Sequence, residues 1–436
     1  MNTSKLIIPG GSASGTLSVP GDKSISIRAV LLSAIADGVS NLSGLSEGGD
    51  VVSAIKCTQQ LGIEIHKNGD GSVTIYGNGL RGFKPTNYSL DCSNSGTTAR
   101  LLTGILSGQH HSYTVTGDDS LQKRPMERII TPLRRMGASI KCLEKEGFIP
   151  YRITPTDLHT IHYTMPIASA QVKSAILLAG LYAQGTTIIK EPTLSRNHTE
   201  MMFTARGVDI SINTTQKEIS LSPGKTIFPA NVHIPGDISG AAFFIVLATI
   251  LPDSHIIIKN VGINPTRTGI LEVLQMMGAH ITITNHHSIG GEETADIEVH
   301  SEDLYGTQIS GEIIPRIIDE LPIVAVAGAF AEGTTIIRDA QELRVKETDR
   351  INAICVNLRK MGTAIEEYQD GLLIRGKTGF NPAHFDSFND HRIAMAFGVA
   401  GTVLNGESTI EGSEWADISF PGYFSLLNYV RGIPSN

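Results

Sequence analysis

Gly62, Gly137, Gly207, Gly278, Gly362 and Gly432 recur at intervals of about 70 to 84 residues, each between an apolar helical end and the start of a strand. The pattern reads Leu61-Gly62-Ile63-Glu64-Ile65, Met136-Gly137-Ala138-Ser139-Ile140, Arg206-Gly207-Val208-Asp209-Ile210, Met277-Gly278-Ala279-His280-Ile281 and Met361-Gly362-Thr363-Ala364-Ile365, with Val430-Arg431-Gly432-Ile433 as a shortened sixth copy. Glycine suits the position just past a helix, where positive φ turns the chain into a strand. Between these marks lies a second element. Ala36 to Asn41, Ala183 to Ile189 and Ala331 to Ile337 run through Gly into a Thr- or Ser-bearing strand, and Gly406-Glu407-Ser408-Thr409-Ile410 repeats it. Each unit is thus two helices and several short strands, which predicts an α/β (α+β) repeat architecture.

A second repeat sets the domain boundary. Pro20-Gly21-Asp22-Lys23-Ser24 recurs as Pro235-Gly236-Asp237-Ile238-Ser239, and three of the glycine marks lie between. Two domains of three units follow, one over residues 21–235, the other over 236–436 with residues 1–20 folded back on to it. With 436 residues, 41% of them hydrophobic, the chain is long enough for more than one core. The two crossings form a hinge, and a cleft between such halves favours a ligand. A repeat scaffold without chemistry also fits these features.

A formal charge of −8 speaks against a nucleic-acid partner, yet permits a locally positive cleft. Cys57, Cys92, Cys142 and Cys355 lie far apart without metal-ligand spacing, as expected of free thiols in a reducing cytosol. The apolar run near Leu6 is too short for a signal peptide, and no later stretch approaches a membrane span. A cytoplasmic protein without membrane, metal or cofactor is expected.

The first Pro-Gly-Asp continues Lys23-Ser24-Ile25-Ser26-Ile27-Arg28, the second Ile238-Ser239-Gly240-Ala241-Ala242. Fold alone would hardly ask for Lys and Arg in one copy. At a helix start, capping serines, outward backbone N–H groups, Lys23 and Arg28 make an anion site; a solvated cap is the plainer reading. Asp91-Cys92-Ser93-Asn94-Ser95-Gly96-Thr97-Thr98-Ala99-Arg100 precedes the apolar Leu101 to Ser107, and small residues around Gly96 admit a ligand close to the backbone, or simply form a turn. Ser120-Leu121-Gln122-Lys123-Arg124-Pro125-Met126 begins a helix with Pro125 at its first position, which leaves Arg124 to be explained. Ser169-Ala170-Gln171-Val172-Lys173 opens another, Ser169 as cap with Gln171 and Lys173 facing outward. Ser195-Arg196-Asn197-His198 gives one more Ser/Arg start, in which His198 reads as an ordinary capping or surface residue.

In the second half, Asp319 and Glu320 stand just before the most apolar run, Ile323 to Phe330. An acid at the edge of an apolar helix has an altered proton affinity that suits a general base; alternatively Asp319 caps the helix. Leu343-Arg344-Val345-Lys346-Glu347-Thr348-Asp349-Arg350 concentrates charge in a chain only 18% charged. If Glu342 to Arg350 is helical, Lys346 and Arg350 share a face with Glu347 beside them, unless the run is a self-neutralised helix end. Asn389-Asp390-His391-Arg392 leads a further apolar helix, with Arg392 in excess of what capping needs.

Lys23, Arg28, Arg100, Arg124, Lys173, Arg196, Arg344, Lys346, Arg350 and Arg392 therefore all fall at or near predicted helix starts, accompanied by Asp319 and Glu347. Helix N-termini aimed into one cleft would add their positive ends to these cations. The implied substrate carries several negative charges, most simply phosphates and a carboxylate. Without an ATP motif, a dinucleotide fingerprint or a metal cluster, the chemistry is expected to run on acid/base groups and positioning.

Gly-Asp-Lys-Ser-Ile-Ser, Asn-Ser-Gly-Thr-Thr-Ala-Arg, Arg-Val-Lys-Glu-Thr-Asp-Arg and Asp-His-Arg, in this order over essentially the whole chain, resemble the EPSP synthase (3-phosphoshikimate 1-carboxyvinyltransferase) family of enolpyruvyl transferases. The resemblance implies two inverse α/β domains, each of three βαβαββ repeats around a pseudo-threefold axis, joined by a two-stranded hinge. It implies transfer of the enolpyruvyl group of phosphoenolpyruvate to the 5-hydroxyl of shikimate 3-phosphate, on the way to chorismate and aromatic amino acids, by a monomer without metal or cofactor. By the same resemblance Lys23, Ser24, Arg28, Ser169, Ala170, Gln171, Arg196, Asp319 and Lys346 are expected at shikimate 3-phosphate. Lys23, Gly96, Arg124, Gln171, Arg350 and Arg392 are expected at phosphoenolpyruvate. Asp319 matches the base for the 5-hydroxyl, and Glu347 the acid at the phosphoenolpyruvate methylene, with Lys23 assisting.

Three departures from the family pattern stand out. Ile27 replaces a common His or Asn, Ile418 a common Lys, and Ser169-Ala170-Gln171 the common Ser-Ser-Gln, which looks more like the glyphosate-tolerant class, although Gly96 stands where that class commonly has Ala. Two other readings remain. One is the UDP-N-acetylglucosamine enolpyruvyl transferase, whose mobile-loop Cys motif has no counterpart between Arg100 and Arg124; the other is a non-catalytic ligand-binding repeat protein, against which both Asp319 and Glu347 argue.

Overall fold

The computed structural model describes residues 4–224, 226–289 and 291–434; the first three residues of the stretch read against a signal peptide lie outside them. Two compact units result, one of Met1–Pro20, Pro235–His287 and Glu293–Asn436, the other of Gly21–Ile234 with Ser288–Glu292. The short segment Ser288–Glu292 differs from the expected division, which placed it with the second half.

Among the described residues six sheets share one plan: a parallel pair of strands whose second member also pairs antiparallel with a third. In one, Leu90–Asp91 runs parallel to Tyr113–Thr116, which pairs antiparallel with Tyr151–Thr154, itself antiparallel to Ser139–Cys142. The sheet built on Thr334–Ile337 repeats this with Gln308–Ile309, Gly371–Arg375 and Ala364–Tyr368. The sixth has three strands, because Ser4–Ile7 fills the antiparallel place beside Ser408–Glu411. Each of the six marking glycines has positive φ, from 66° at Gly432 to 99° at Gly278. Leu61, Met136 and Met361 end their helices one residue earlier, as the pattern predicts.

The two Pro-Gly-Asp copies do the same local work. Asp22 caps the helix Lys23–Ala34 by accepting the Ile25 N–H at 2.9 Å, and Asp237 caps Ile238–Ile250 through the Ser239 N–H at 2.9 Å. Glycine is required at the first copy, since a Cβ on Gly21 would stand 1.8 Å from the Gly44 carbonyl oxygen.

In the Gly21–Ile234 unit the helices Lys23–Ala34, Gly96–Leu106 and Ala170–Gly180 lie inside; in the other unit Ile238–Ile250, Leu321–Phe330 and His391–Gly401 do. These six are apolar around most of their circumference, as buried helices must be. Every residue of Leu321–Phe330 is buried, and each large apolar side chain so removed from water contributes about 1.5–3 kcal/mol. What such helices leave polar is their first turn. That is where the motifs sit.

Candidate active site

In the Gly21–Ile234 unit three inner helix starts are tied to one another. Arg100, in the first turns of Gly96–Leu106, donates Nη1 to Gln171 Oε1 at 2.6 Å, and Gln171 returns Nε2 to Thr97 Oγ1 at 2.9 Å. Arg28 donates Nε to Thr199 Oγ1 at 2.8 Å, Nη1 to the Ser24 carbonyl and Nη2 to Ser174 Oγ, both at 3.0 Å. Lys23 meets Asp50 at 2.9 Å. Ser169 caps Ala170–Gly180, although its bond to the Val172 N–H is long at 3.5 Å. Arg124 grips Asn94 through the backbone carbonyl at 3.1 Å and Oδ1 at 2.6 Å, which binds it to the segment just before Gly96. Lys23, Ser24, Gly96, Ser169, Ala170 and Gln171 thus belong to one set of neighbouring helix starts, with Arg124 held against the segment before Gly96. Arg196 lies half-buried two residues before the helix His198–Ala205, whose Thr199 holds Arg28.

Several expectations in this unit need correction. Lys173 does not face outward. It is 1% exposed, and its ammonium lies 2.9 Å from Glu191 and 2.6 Å from Glu200, because the turn after Ser169 points it into the core where only paired charge is tolerated. His198 is likewise buried, with Nδ1 2.7 Å from Glu292 Oε1, and is neither a cap nor a surface group; Asn197 holds the cap position. The helix after Arg124 also begins later than expected, at Glu127, leaving Pro125 outside it and Arg124 in extended backbone.

The other unit gathers acids around two arginines. Arg350 is 1% exposed and donates Nε to Asp390 Oδ2 at 2.8 Å and Nη2 to Asp390 Oδ1 at 3.3 Å. Nη2 also meets Glu347 Oε2 at 2.7 Å, and Nη1 lies 3.6 Å from Asp319 Oδ1. Burial opposes the charge on Arg350, but Asp390, Glu347 and Asp319 outweigh it and hold the guanidinium above its ordinary pKa. Arg392 Nη2 stands 3.7 Å from Asp319 Oδ2, and its Nη1 4.0 Å from Glu320 Oε1. Asp319 is therefore bracketed by two arginines. It is not the helix cap: Glu320 holds that position, without a capping bond, and accepts from Ser239 Oγ, which also accepts from Arg267 at 2.8 Å. Lys346 is half-buried; burial lowers its pKa below 10.5, opposed by Asp319 and reinforced by Arg350.

The run Glu342 to Arg350 is not one helix. Gln341–Val345 forms a 3₁₀ turn, Lys346 is extended at φ −82° and ψ −150°, and Arg350 begins the helix Arg350–Lys360 with Asp349 as its cap at 3.1 Å to the Asn352 N–H. Asp is better at a helix cap than in its interior, and here the cap prevails over i, i+4 pairing. The break leaves Glu347 just outside the helix and beside Arg350. Arg344 takes no part: it binds the Gln369 and Tyr368 carbonyls, Asp349 and Glu367.

Sequence reasoning missed the supporting acids. Asp50 beside Lys23 carries no local sign of its role, whereas Asp390, placed before an apolar helix, did carry the signal of a cap. It serves as both cap and arginine anchor. Among the described residues no helix is long and apolar enough to cross a membrane.

Residues 7–427 match the family model for EPSP synthase (3-phosphoshikimate 1-carboxyvinyltransferase). A 3-phosphoshikimate 1-carboxyvinyltransferase of Thermoanaerobacter sp. (strain X514) is 49% identical over 95% of this chain and 97% of its own, and one of Pelobacter propionicus is 46% identical over 98% of both. The EPSP synthase structure from Acinetobacter baumannii superposes with a TM-score of 0.87 at 42% identity, covering 99% of this chain and 98% of that one. The enolpyruvyl transferase NikO of Streptomyces tendae shares the fold with a TM-score of 0.80 at 17% identity, over 99% and 98% of the two chains. From residue 7 to residue 427, then, in sequence and in fold, this chain belongs to the EPSP synthase (3-phosphoshikimate 1-carboxyvinyltransferase) family.

Proposed function

We propose that the two sets of helix starts share out the family's reaction, in which the enolpyruvyl group of phosphoenolpyruvate moves to the 5-hydroxyl of shikimate 3-phosphate and inorganic phosphate leaves. The chain is a transferase of aromatic amino-acid biosynthesis. Lys23, Ser24, Arg28, Ser169, Ala170, Gln171, Arg196, Asp319 and Lys346 hold shikimate 3-phosphate, while Lys23, Gly96, Arg124, Gln171, Arg350 and Arg392 hold phosphoenolpyruvate. The observation that carries this reading is Asp319, with one oxygen 3.6 Å from Arg350 and the other 3.7 Å from Arg392. The two arginines position this carboxylate for the role of base while keeping donors for the substrate anions.

In the reaction, Glu347 delivers a proton to the phosphoenolpyruvate methylene, and C2 gains cationic character. The 5-hydroxyl oxygen attacks C2 as Asp319 takes its proton. The tetrahedral intermediate then expels phosphate as the Glu347 carboxylate, assisted by Lys23, takes a methyl proton back, restoring the vinyl ether. Acid/base assistance of this kind supplies about 10² to 10⁴ in rate; neutralising and aligning two anionic substrates supplies much of the rest. A cytoplasmic monomer is the setting we propose.

A phosphate-release assay with phosphoenolpyruvate and shikimate 3-phosphate, run beside one with UDP-N-acetylglucosamine, tests the reading. Release only with shikimate 3-phosphate is expected. Release only with the UDP-sugar, or with neither, overturns it.

A further inference from the structure

We propose that His255, Glu298 and His300 form a site for a divalent transition-metal cation of the zinc type, on the outer face of the sheet containing the strands His255–Gly262, His280–Ile289 and Glu292–His300. None of the three belongs to the sets of residues described above.

The site is built by strand register. His255 lies directly opposite His300 on the neighbouring antiparallel strand, and Glu298, two residues before His300, projects from the same face. The intervening Ile256, Ile297 and Val299 point into the core and anchor the platform. The two imidazoles lie parallel, 4.1 Å apart, and both Nε2 atoms converge on Glu298 Oε1, at 2.8 Å from His255 and 3.4 Å from His300. One ligand atom from each residue lies within 4.8 Å of the other two. Zinc–nitrogen bonds of about 2.0–2.1 Å place tetrahedral ligand atoms about 3.3 Å apart, so a rotation of the partly exposed Glu298 side chain and small ring movements would seat the ion. His280 stacks on His300 from the other side, 5.0 Å away, and limits the rotation of that ring. Two imidazole nitrogens and a carboxylate suit zinc, nickel or copper rather than magnesium. The fourth position would be open to water. The Cys/His spacing rules that predict metal sites could not find this one, because its ligands come from two strands that are distant in sequence.

Calorimetric titration of the chelator-treated full chain with zinc chloride is the test, run beside His255→Ala, His300→Ala and the double variant. All three are surface changes, and circular dichroism verifies the fold. One zinc per chain is expected at this site, weakened at least about tenfold in each single variant and lost in the double one. Zinc should raise the melting temperature of the parent by mass action and leave that of the double variant unchanged. Magnesium chloride should produce neither effect. Turnover should be equal in all four proteins. Equal zinc binding by the parent and the double variant overturns the proposal, as does the absence of binding by the parent at 100-micromolar zinc.

Discussion

Asp390 holds Arg350 through two hydrogen bonds, of 2.8 and 3.3 Å, with both side chains almost fully buried, while its Oδ1 also caps the helix His391–Gly401. Breaking a buried pair by removing one partner costs about 3–5 kcal/mol, because the other charge is left behind. Asp390→Ala should lose that much in denaturant unfolding and also the cap. Asp390→Asn should keep much of the cap yet still lower turnover, since Arg350 would no longer be aimed. Equal stability of both variants and the parent would remove Asp390 as the anchor.

Lys173 is a structural cation, and a variant separates that role from substrate binding. Lys173→Met leaves Glu191 and Glu200 buried without their shared partner, which predicts a loss of about 3–5 kcal/mol. The KM values of the protein that remains folded at low temperature should stay near those of the parent. A large rise in KM without a loss of stability would return Lys173 to the anion site.

Lys346 should give binding a pH signature. Burial lowers its pKa, so its charge is lost at less alkaline pH than the ordinary 10.5. A depressed folded value means that burial disfavours the charged form relative to the unfolded chain; anionic substrates favour the charged form and raise the value again. Substrate affinity should therefore fall as pH rises through the lowered pKa. Lys346→Arg stays charged and should flatten that part of the KM profile. Parallel profiles for parent and variant would dissociate Lys346 from the substrates.

Gly96 leaves little room. A Cβ there would lie 2.7 Å from Arg100 Nη1, the end of a flexible side chain held 2.6 Å from Gln171. Gly96→Ala should displace that guanidinium and raise the KM for phosphoenolpyruvate, with a stability change below about 2 kcal/mol. An unchanged KM would place phosphoenolpyruvate away from this helix start.

Much of this was legible in the chain because the fold repeats its own punctuation. The six glycines mark helix ends by positive φ, so local chemistry alone was enough to place them, whereas the cap of the first helix was expected at Ser24 and Ser26 and falls to Asp22, because both serines lie inside the helix. Asp319, Lys346, Glu347, Arg350 and Arg392 stood out as charge in excess of capping. Pairing was not legible. Nothing in the spacing shows that Lys173 finds two glutamates, that Asp50 meets Lys23, or that Arg344 turns toward Gln369 and Tyr368, since these partners are brought together by the packing of separate elements. The helix start at Arg350 did have a local signal in Asp349 ahead of Ile351, Ile354 and Leu358, and charge spacing obscured it.

Asp319, between Arg350 and Arg392, is the proposed base. Phosphate release from phosphoenolpyruvate and shikimate 3-phosphate, measured for the parent and for Asp319→Ala together with calorimetric affinity for shikimate 3-phosphate, tests it. The prediction is turnover lower by about 10² to 10⁴ with affinity changed only a few-fold. Equal turnover of the folded variant and the parent would contradict it.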